Sequence, residues 1–259
     1  MGSSTSESIK EGDWVLIYFD EKRKYVVRVE AGKQFHTTMG GIDLSSLIGK
    51  KFGDGDETNV GEPFVISRPR LVDLLETFHR FTQVIYPKDL GYILLSSGVG
   101  PGAKVVEAGT GTGYLASVLA YYVKPSGRVF TYETRKDFYL KAIKNFESIG
   151  LLPYITAKNK NIKDGIDEKD VDAVFLDLPD PWSIVDLAYD ALIHGGSIVV
   201  FVPTVNQVER TVVALKKKGF KLIESVEIMM RKLKAVQGEM RPETVGIWHT
   251  GYIVRAQKL

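Results

Sequence analysis

The sequence predicts an α/β fold: a mostly parallel sheet with helices on both faces, preceded by a small β module and closed by an antiparallel hairpin. Three observations carry this. Buried-strand patterns alternate with helical ones from residue 104 to residue 218, as in sheets built from repeated βα units. A glycine-rich loop, Glu107-Ala108-Gly109-Thr110-Gly111-Thr112-Gly113, joins the first of these strands to the first helix. Further on, Asp177-Leu178-Pro179-Asp180-Pro181-Trp182 ends an apolar strand with a carboxylate, and its two prolines prevent further pairing. In open α/β sheets both features face the ligand crevice at the carboxyl ends of the strands.

In chain order, residues 1–10 are polar and expected to be disordered. Residues 11–66 are expected to form a small β-barrel-like domain and 67–259 the α/β domain. Residues 13–19 and 25–29 read as the strands of a hairpin joined by the charged turn 20–24. Leu71, Leu74, Leu75 and Phe78 then recur at helical spacing, as do Leu90, Ile93 and Leu94 in a second helix whose first turn suits Pro87. Strands follow over 104–107, 128–133, 154–157, 171–177 and 197–202, with helices over 114–122, 135–148, 182–192 and 205–218. Residues 221–230 and 244–254 are strand-like with no helix between, hence the closing hairpin. His249 falls inside the second run and reads as structural, and Asp180 reads as the cap of the helix that begins near Trp182.

The composition narrows the function. The 259 residues are 44% hydrophobic, enough for a sizeable core. With 34 basic and 32 acidic residues the net charge is +2, so any affinity for a polyanion must come from local clusters such as Lys22-Arg23-Lys24 or Lys216-Lys217-Lys218. Cysteine is absent, which excludes disulfides and thiolate metal sites, and the four scattered histidines argue against a bound metal. No apolar run has spanning length and no signal-peptide pattern opens the chain, so a soluble cytoplasmic protein without membrane partners is expected.

The loop has the spacing G-x-G-x-G, and Tyr114 stands where the dinucleotide fingerprint needs glycine, which places a dehydrogenase last. Glu107 before the loop suits a ligand carrying an ammonium group. Glu133 ends the next strand, about twenty residues on, where a carboxylate accepts ribose hydroxyls. These residues resemble the class I methyltransferases, which are Rossmann-like with a seven-stranded sheet and a reversed terminal hairpin. The resemblance covers residues 105–259 and implies S-adenosyl-L-methionine as cofactor.

Asp177 bears on the acceptor. The N1 atom of adenine carries an in-plane lone pair and needs no general base; it needs positioning and a group that stabilises the cation forming on the ring. A fixed carboxylate that also accepts a hydrogen bond from the N6 amine meets both needs. The segment around Asp177 resembles the tRNA (adenine-N1)-methyltransferases, the homotetrameric type of archaea and bacteria. So do Thr82-Gln83-Val84-Ile85-Tyr86-Pro87-Lys88-Asp89, the glycine loop, Gln207-Val208, His249-Thr250-Gly251 and the segment 36–44.

The resemblance implies methylation of the T-loop adenine at tRNA position 58, leaving position 57 open. It implies Asp177 and Tyr86 as catalytic residues. The cofactor contacts it implies are Gln83, Glu107, Gly109, Gly111, Thr112, Gly113, Tyr114, Leu115, Glu133, Asn161, Ile162 and Asp177. Substrate contacts are expected at His36, Arg68, Arg70, Arg80, Tyr86 and Trp182. Two departures stand out: Asn161-Ile162 where many members have an acid for the adenine amine of the cofactor, and Thr204 where a Pro-Asn dipeptide is common. The competing readings are a protein carboxyl methyltransferase of the isoaspartyl-repair type, which shares the loop, and a non-catalytic RNA-binding subunit.

Overall fold

The computed structural model describes residues 8–259, so the expectation for residues 1–7 lies outside the described residues. The chain divides into two units, one ending at Phe78 and one beginning at His79. In the first, β1 (Trp14–Asp20), β2 (Arg23–Arg28), β5 (Gly55–Glu57) and β6 (Pro63–Ser67) form an antiparallel sheet in the order β2-β1-β6-β5. A separate hairpin pairs β3 (Gln34–Thr37) with β4 (Gly40–Asp43). The period-two alternation of β1 sends Val15 and Ile17 into a core with Val29, Ile42, Leu47, Phe64 and Ile66. Ile9 joins that core, its N–H donating to the Lys50 carbonyl at 2.7 Å. The short helix α1 (Leu71–Glu76) follows.

The second unit opens with α2 (Pro87–Ser97), with proline in the first turn as expected and Gly98 in the left-handed conformation at its end. Then come β7 (Lys104–Ala108), α3 (Tyr114–Val123), β8 (Arg128–Tyr132), α4 (Lys136–Ser148), β9 (Ile155–Lys158) and β10 (Val171–Leu176). They are followed by α5 (Val185–Ala191), β11 (Leu192–Val202), α6 (Val205–Lys218), β12 (Lys221–Val226), the two-residue strands β13 (Leu233–Lys234) and β14 (Arg241–Pro242), and β15 (Tyr252–Gln257).

Seven of these strands form one sheet in the order β12-β15-β11-β10-β7-β8-β9. The contacts from β11 through β9 are all parallel, and β15 runs antiparallel to both β11 and β12. This is the expected mostly parallel sheet with its reversed closing strand. The order reverses between β7 and β10, since the chain leaves β7 towards β8 and returns on the other side. That switch point opens a crevice at the carboxyl ends of the strands.

Two expectations are corrected. Residues 182–192 are not one helix: Pro181–Ile184 form a 3-10 turn, α5 begins only at Val185, and Leu192 already belongs to β11. The terminal strands are shorter than their apolar patterns: β12 ends at Val226 and β15 begins at Tyr252, which leaves His249 outside the sheet. Pairing sets these limits. The last matched residues are Val202 with Tyr252 and Val226 with Ile253, beyond which neither neighbour continues as a strand.

A buried ion pair joins α2 to the segment after β12 and to the residues just before β15. The Lys88 Nζ, 5% exposed, lies 2.8 Å from the fully buried Asp89 carboxylate and donates to the Ile228 carbonyl and to Thr250 Oγ1. Thr250 Oγ1 in turn donates to the other Asp89 oxygen at 2.7 Å. Removing one partner of a buried pair leaves an uncompensated charge and costs about 3–5 kcal/mol. Lys88→Met is therefore expected to lower the unfolding free energy of the protein by roughly 3 kcal/mol or more. Denaturant unfolding checks this, and a loss below about 1 kcal/mol contradicts the buried-pair account.

Candidate active site

The crevice at the switch point is a cleft of about 640 Å³. It is lined by the segment 82–85, Glu107 and the loop 109–112, Tyr114 and Leu115, Glu133 to Arg135 with Phe138, Asp177 to Pro179, and Pro203 with Gln207. A smaller hollow of about 200 Å³ shares Gly109, Glu133, Thr134, Leu178 and Pro179 with it and adds Lys160, Asn161, Ile162 and Lys163. Nearly all the expected cofactor contacts thus lie together. Gly113 is set just behind the cleft, where it begins α3 with φ of 84°.

The loop is held from several sides. Gly111 has φ of 50°, and a Cβ there would meet Thr82 Oγ1 at 3.0 Å. Thr82 Oγ1 accepts from the Thr112 N–H at 3.2 Å and bonds the Thr112 hydroxyl at 2.7 Å, while Asn145 Nδ2 donates to the Thr112 carbonyl. Asp177 is tied to the same loop. Its N–H donates to the Ala108 carbonyl at 2.6 Å, and its carbonyl accepts from the Gly109 N–H at 3.3 Å. These two bonds extend the parallel pairing of β7 and β10 by one step, so the Asp177 side chain is set by the sheet.

Three carboxylates face the cleft. Glu133 Oε2 accepts from the Gly111 N–H at 3.0 Å and Oε1 from the Arg135 N–H at 2.9 Å, so both oxygens are oriented. Glu107 is 1% exposed and accepts a short hydrogen bond from the Thr131 hydroxyl. Burial, reinforced by the charges of Asp177 and Glu133, pushes its carboxyl up to about 8. Desolvation at the floor of the cleft pushes Asp177 up to about 6, although solvent reaches its carboxyl group from the open side. A cleft with three carboxyl groups whose ionisation a cation would favour, glycine backbone open to close approach and a doubly oriented carboxylate fits a cationic ligand with a ribose. That is the chemistry of S-adenosylmethionine.

The remaining expected residues are more scattered. Tyr86 directly follows the lining segment 82–85 and caps α2 with its backbone; its side chain is exposed. Arg80 lies over the Tyr114 ring at 5.7 Å. Trp182 is not among the lining residues, and its ring lies under the Arg210 guanidinium at 5.2 Å. Asn161 caps a 3-10 turn by accepting from the Lys163 N–H.

Asp180 does not cap a helix with its side chain, a correction to its expected role. Its carboxylate pairs with Lys163 Nζ at 2.5 Å, and it is its carbonyl that accepts from the Ser183 N–H. In the first unit, His36 lies on β3 and Arg68 stacks over Phe52 at 4.2 Å. The Arg70 guanidinium is taken by Asp73, 1% exposed, through bonds of 2.9 and 3.1 Å.

Several lining residues had no role in the sequence reading. Phe138 lies 4.6 Å from Phe81 and 3.5 Å from the Arg135 guanidinium, forming an aromatic wall from α4. Only the amphipathic spacing of that helix signalled it. Gln207 was visible as part of a motif without a stated role. Its Nε2 donates to the Pro179 carbonyl at 2.9 Å and its Oε1 accepts from Thr204 Oγ1 at 2.7 Å, which braces the two sides of the cleft.

The sheet order, the glycine loop and the carboxylate at the end of the second strand define a class I methyltransferase fold. Within that class, residues 67–254 match the family model of the tRNA methyltransferase complex GCD14 subunit and residues 8–54 match a TrmI-like N-terminal model. The chain belongs to the GCD14 tRNA methyltransferase family. It is 33% identical to the tRNA (adenine(57)-N(1)/adenine(58)-N(1))-methyltransferase TrmI of Methanocaldococcus jannaschii, over 92% of this chain and 93% of that one. The catalytic subunit trmt61a of the tRNA (adenine(58)-N(1))-methyltransferase of Dictyostelium discoideum is 32% identical over 86% of this chain and 74% of its own.

Two solved structures are similar throughout. TrmI of Aquifex aeolicus, a tRNA (m1A58) methyltransferase, superposes with a TM-score of 0.83 at 31% identity, covering 98% of this chain and 99% of its own. A Thermotoga maritima protein described as a SAM-dependent O-methyltransferase does so with a TM-score of 0.90 at 38% identity, covering 100% and 97%.

Proposed function

We propose that this protein transfers the methyl group of S-adenosyl-L-methionine to N1 of adenine 58 in the T loop of tRNA. The observation that carries the reading is Asp177, fixed by backbone bonds against the glycine loop at the floor of the cleft. The tRNA adenine-N1 relatives, similar over both units of the chain, support the same substrate. A carboxyl methyltransferase of the isoaspartyl type is not favoured, since it accounts for neither Asp177 nor the N-terminal module.

Bound S-adenosylmethionine supplies an electrophilic methyl group on a sulfonium. The residues of this chain then have separable tasks. Glu133, with both oxygens oriented, is placed to accept the ribose hydroxyls, and an ammonium group brought beside Glu107 would favour ionisation of that buried carboxyl. Asp177 accepts from the N6 amine of the adenine and lies beside the cation that forms on the ring, a charge preorganised before reaction. Pro179, held by Gln207, keeps that backbone still. Tyr86, exposed beside the lining segment, is assigned to the extruded base, and Arg68 and Arg80 to tRNA phosphates.

The raised Asp177 carboxyl gives the reaction a pH dependence. Below about 6 the group is protonated and the stabilising charge is absent; above it the charge is present. Single-turnover methyl transfer is therefore expected to rise as pH increases through about 6 and to lose that limb in Asp177→Asn. A profile flat from pH 5 to 7.5 contradicts this role.

A homotetramer is proposed for the working state. Its support is the cluster of exposed apolar side chains around β13 and β14, including Met229, Met240 and Val245 at 71%, 68% and 84% exposure. No helix of the described residues is long and apolar enough to cross a membrane. A cytoplasmic location is proposed on the similarity to tRNA methyltransferases. The test of the function is transfer from labelled S-adenosylmethionine to unmodified tRNA transcript, with the product nucleoside identified and mapped. 1-Methyladenosine at position 58 is expected, and the same map shows whether 57 is a second site. Bound cofactor without transfer to tRNA overturns the reading in favour of a peptide acceptor or a subunit without catalysis.

A further inference from the structure

His249 lies outside the sheet, just before β15, with about half of its side chain exposed. Both ring nitrogens are engaged. Nδ1 is 2.6 Å from Glu227 Oε1, and Nε2 is 3.1 Å from the carbonyl oxygen of Pro203. A backbone carbonyl can only accept, and an ionised carboxylate can only accept. Both nitrogens must therefore carry hydrogen, and only the imidazolium does so. A neutral ring keeps one bond and turns a lone pair towards the other oxygen.

The acceptor on the Nε2 side belongs to the cleft. Pro203 follows β11 directly and lines the cavity, and the next residue, Thr204, starts α6 and hydrogen-bonds Gln207. Gln207 reaches across to the carbonyl of Pro179, two residues beyond Asp177. A continuous series of contacts thus runs from Glu227 through His249 to the backbone that carries the proposed catalytic carboxylate.

We propose that His249, as its imidazolium, is a positioning residue that fastens the exit of β11, so that the wall of the cleft beside Asp177 is fully held only while the ring is doubly protonated. The inference rests on the proposed methyl transfer for its effect on rate, but not for the bonds themselves.

The groups facing the ring set the direction of its titration. Glu227, from the segment after β12, is the strongest influence and raises the His249 pKa, assisted by the Pro203 carbonyl. Lys88, from α2, opposes it, but that cation is already bonded to Asp89, Ile228 and Thr250. Tyr252 of β15 packs its ring on the imidazole at 4.9 Å. Because the pKa is raised in the folded protein, the clamp is fully present below the ordinary histidine value and is lost as pH rises through the folded value. Half-exposure lets bulk solvent exchange protons with the ring.

The test compares methyl transfer by the full-length wild-type protein and His249→Gln from pH 6.5 to 9, at saturating tRNA and cofactor. The variant is expected to be slower by about tenfold at pH 6.5 and within about twofold at pH 9, where the wild type has itself lost the clamp. A ratio constant across this range means a merely structural role and overturns the proposal. Glu227→Gln is expected to move the alkaline fall of the wild-type profile to lower pH. An unmoved limb also overturns it.

A measurement independent of activity separates this inference from the functional reading. In nuclear magnetic resonance titrations of wild-type protein, the His249 ring is expected to titrate above about 6.5, and the Gln207 side-chain amide to shift with the same midpoint. A midpoint at or below the ordinary value, or a Gln207 signal indifferent to it, overturns the clamp even if His249→Gln fails to fold. Joint titration in a protein that does not methylate tRNA leaves the clamp standing and removes the proposed reaction instead.

Discussion

Replacing Asp177 with alanine is expected to lower tRNA methylation by about 10²- to 10³-fold, the usual effect of removing one preorganised electrostatic group from a reacting centre. Cofactor affinity, measured by calorimetry, is expected to change by no more than about threefold, because the loss falls on an interaction made chiefly in the transition state. The structural basis is that Asp177 is positioned by its backbone. Its N–H and carbonyl are both bonded to the loop residues Ala108 and Gly109, so truncating the side chain leaves the floor of the cleft in place. Asp177→Asn keeps the shape and the capacity to accept from an amine while removing the charge. If charge stabilisation dominates, asparagine falls nearly as far as alanine. Turnover unchanged in both variants removes Asp177 from the mechanism.

Gly113→Ala is expected to destabilise the protein by about 2–5 kcal/mol, the sum of two separable costs. The first is conformational: at φ of 84° an alanine occupies the left-handed region, at roughly 1–2 kcal/mol. The second is steric. A Cβ there would lie 2.4 Å from Cε1 and 2.7 Å from Cζ of Phe146, whose ring is fully buried and has nowhere to move. Overpacking of this kind adds about 1–3 kcal/mol.

Gly98→Ala is the natural control, since Gly98 has φ of 73° but nothing within 4 Å of the added carbon. It should carry the conformational cost alone. Denaturant unfolding of the two variants measures the difference, and equal losses contradict the steric part. Since α4 also holds the loop through Asn145, displacement of Phe146 is expected to weaken cofactor binding in Gly113→Ala but not in Gly98→Ala.

The central parallel strands β7 and β10 could be read from the sequence because each is buried on both faces and reads as a short apolar run with glycine or proline soon after its end. Residues 104–107 and 171–177 became β7 and β10 within a residue or so. The loop and its two acids were equally legible, since their spacing dictates that the backbone turns at the strand ends. What the pattern could not show was where pairing stops. Residues 244–251 carry strand-like side chains, yet a strand needs a neighbour's free carbonyls and amides, and β11 and β12 end before reaching them.

The walls supplied from a distance in sequence were also hidden. Phe138 and Pro203 carry no chemical signature, and Gln207 acquires its task only when β10 and β11 bring Pro179 within reach. His249 was assigned to a strand because its neighbours alternate; the hydrogen bonds to Glu227 and Pro203 exist only in three dimensions.

The position of β15 has a consequence for how the protein is made. Val254 is paired on one side with Val200 and on the other with Ser225, so this strand is inserted between two that precede it in the chain. A nascent chain on the ribosome can assemble β7 to β11 with their helices, but the outer edge of β11 stays open until β15 has emerged. His249 and Thr250 arrive just before that strand, and with them the partners of Pro203 and of the Lys88–Asp89 pair. An incomplete chain therefore lacks the contacts that hold the cleft wall, and a transcript that stops early gives rise to an aggregation-prone edge rather than a weakened enzyme.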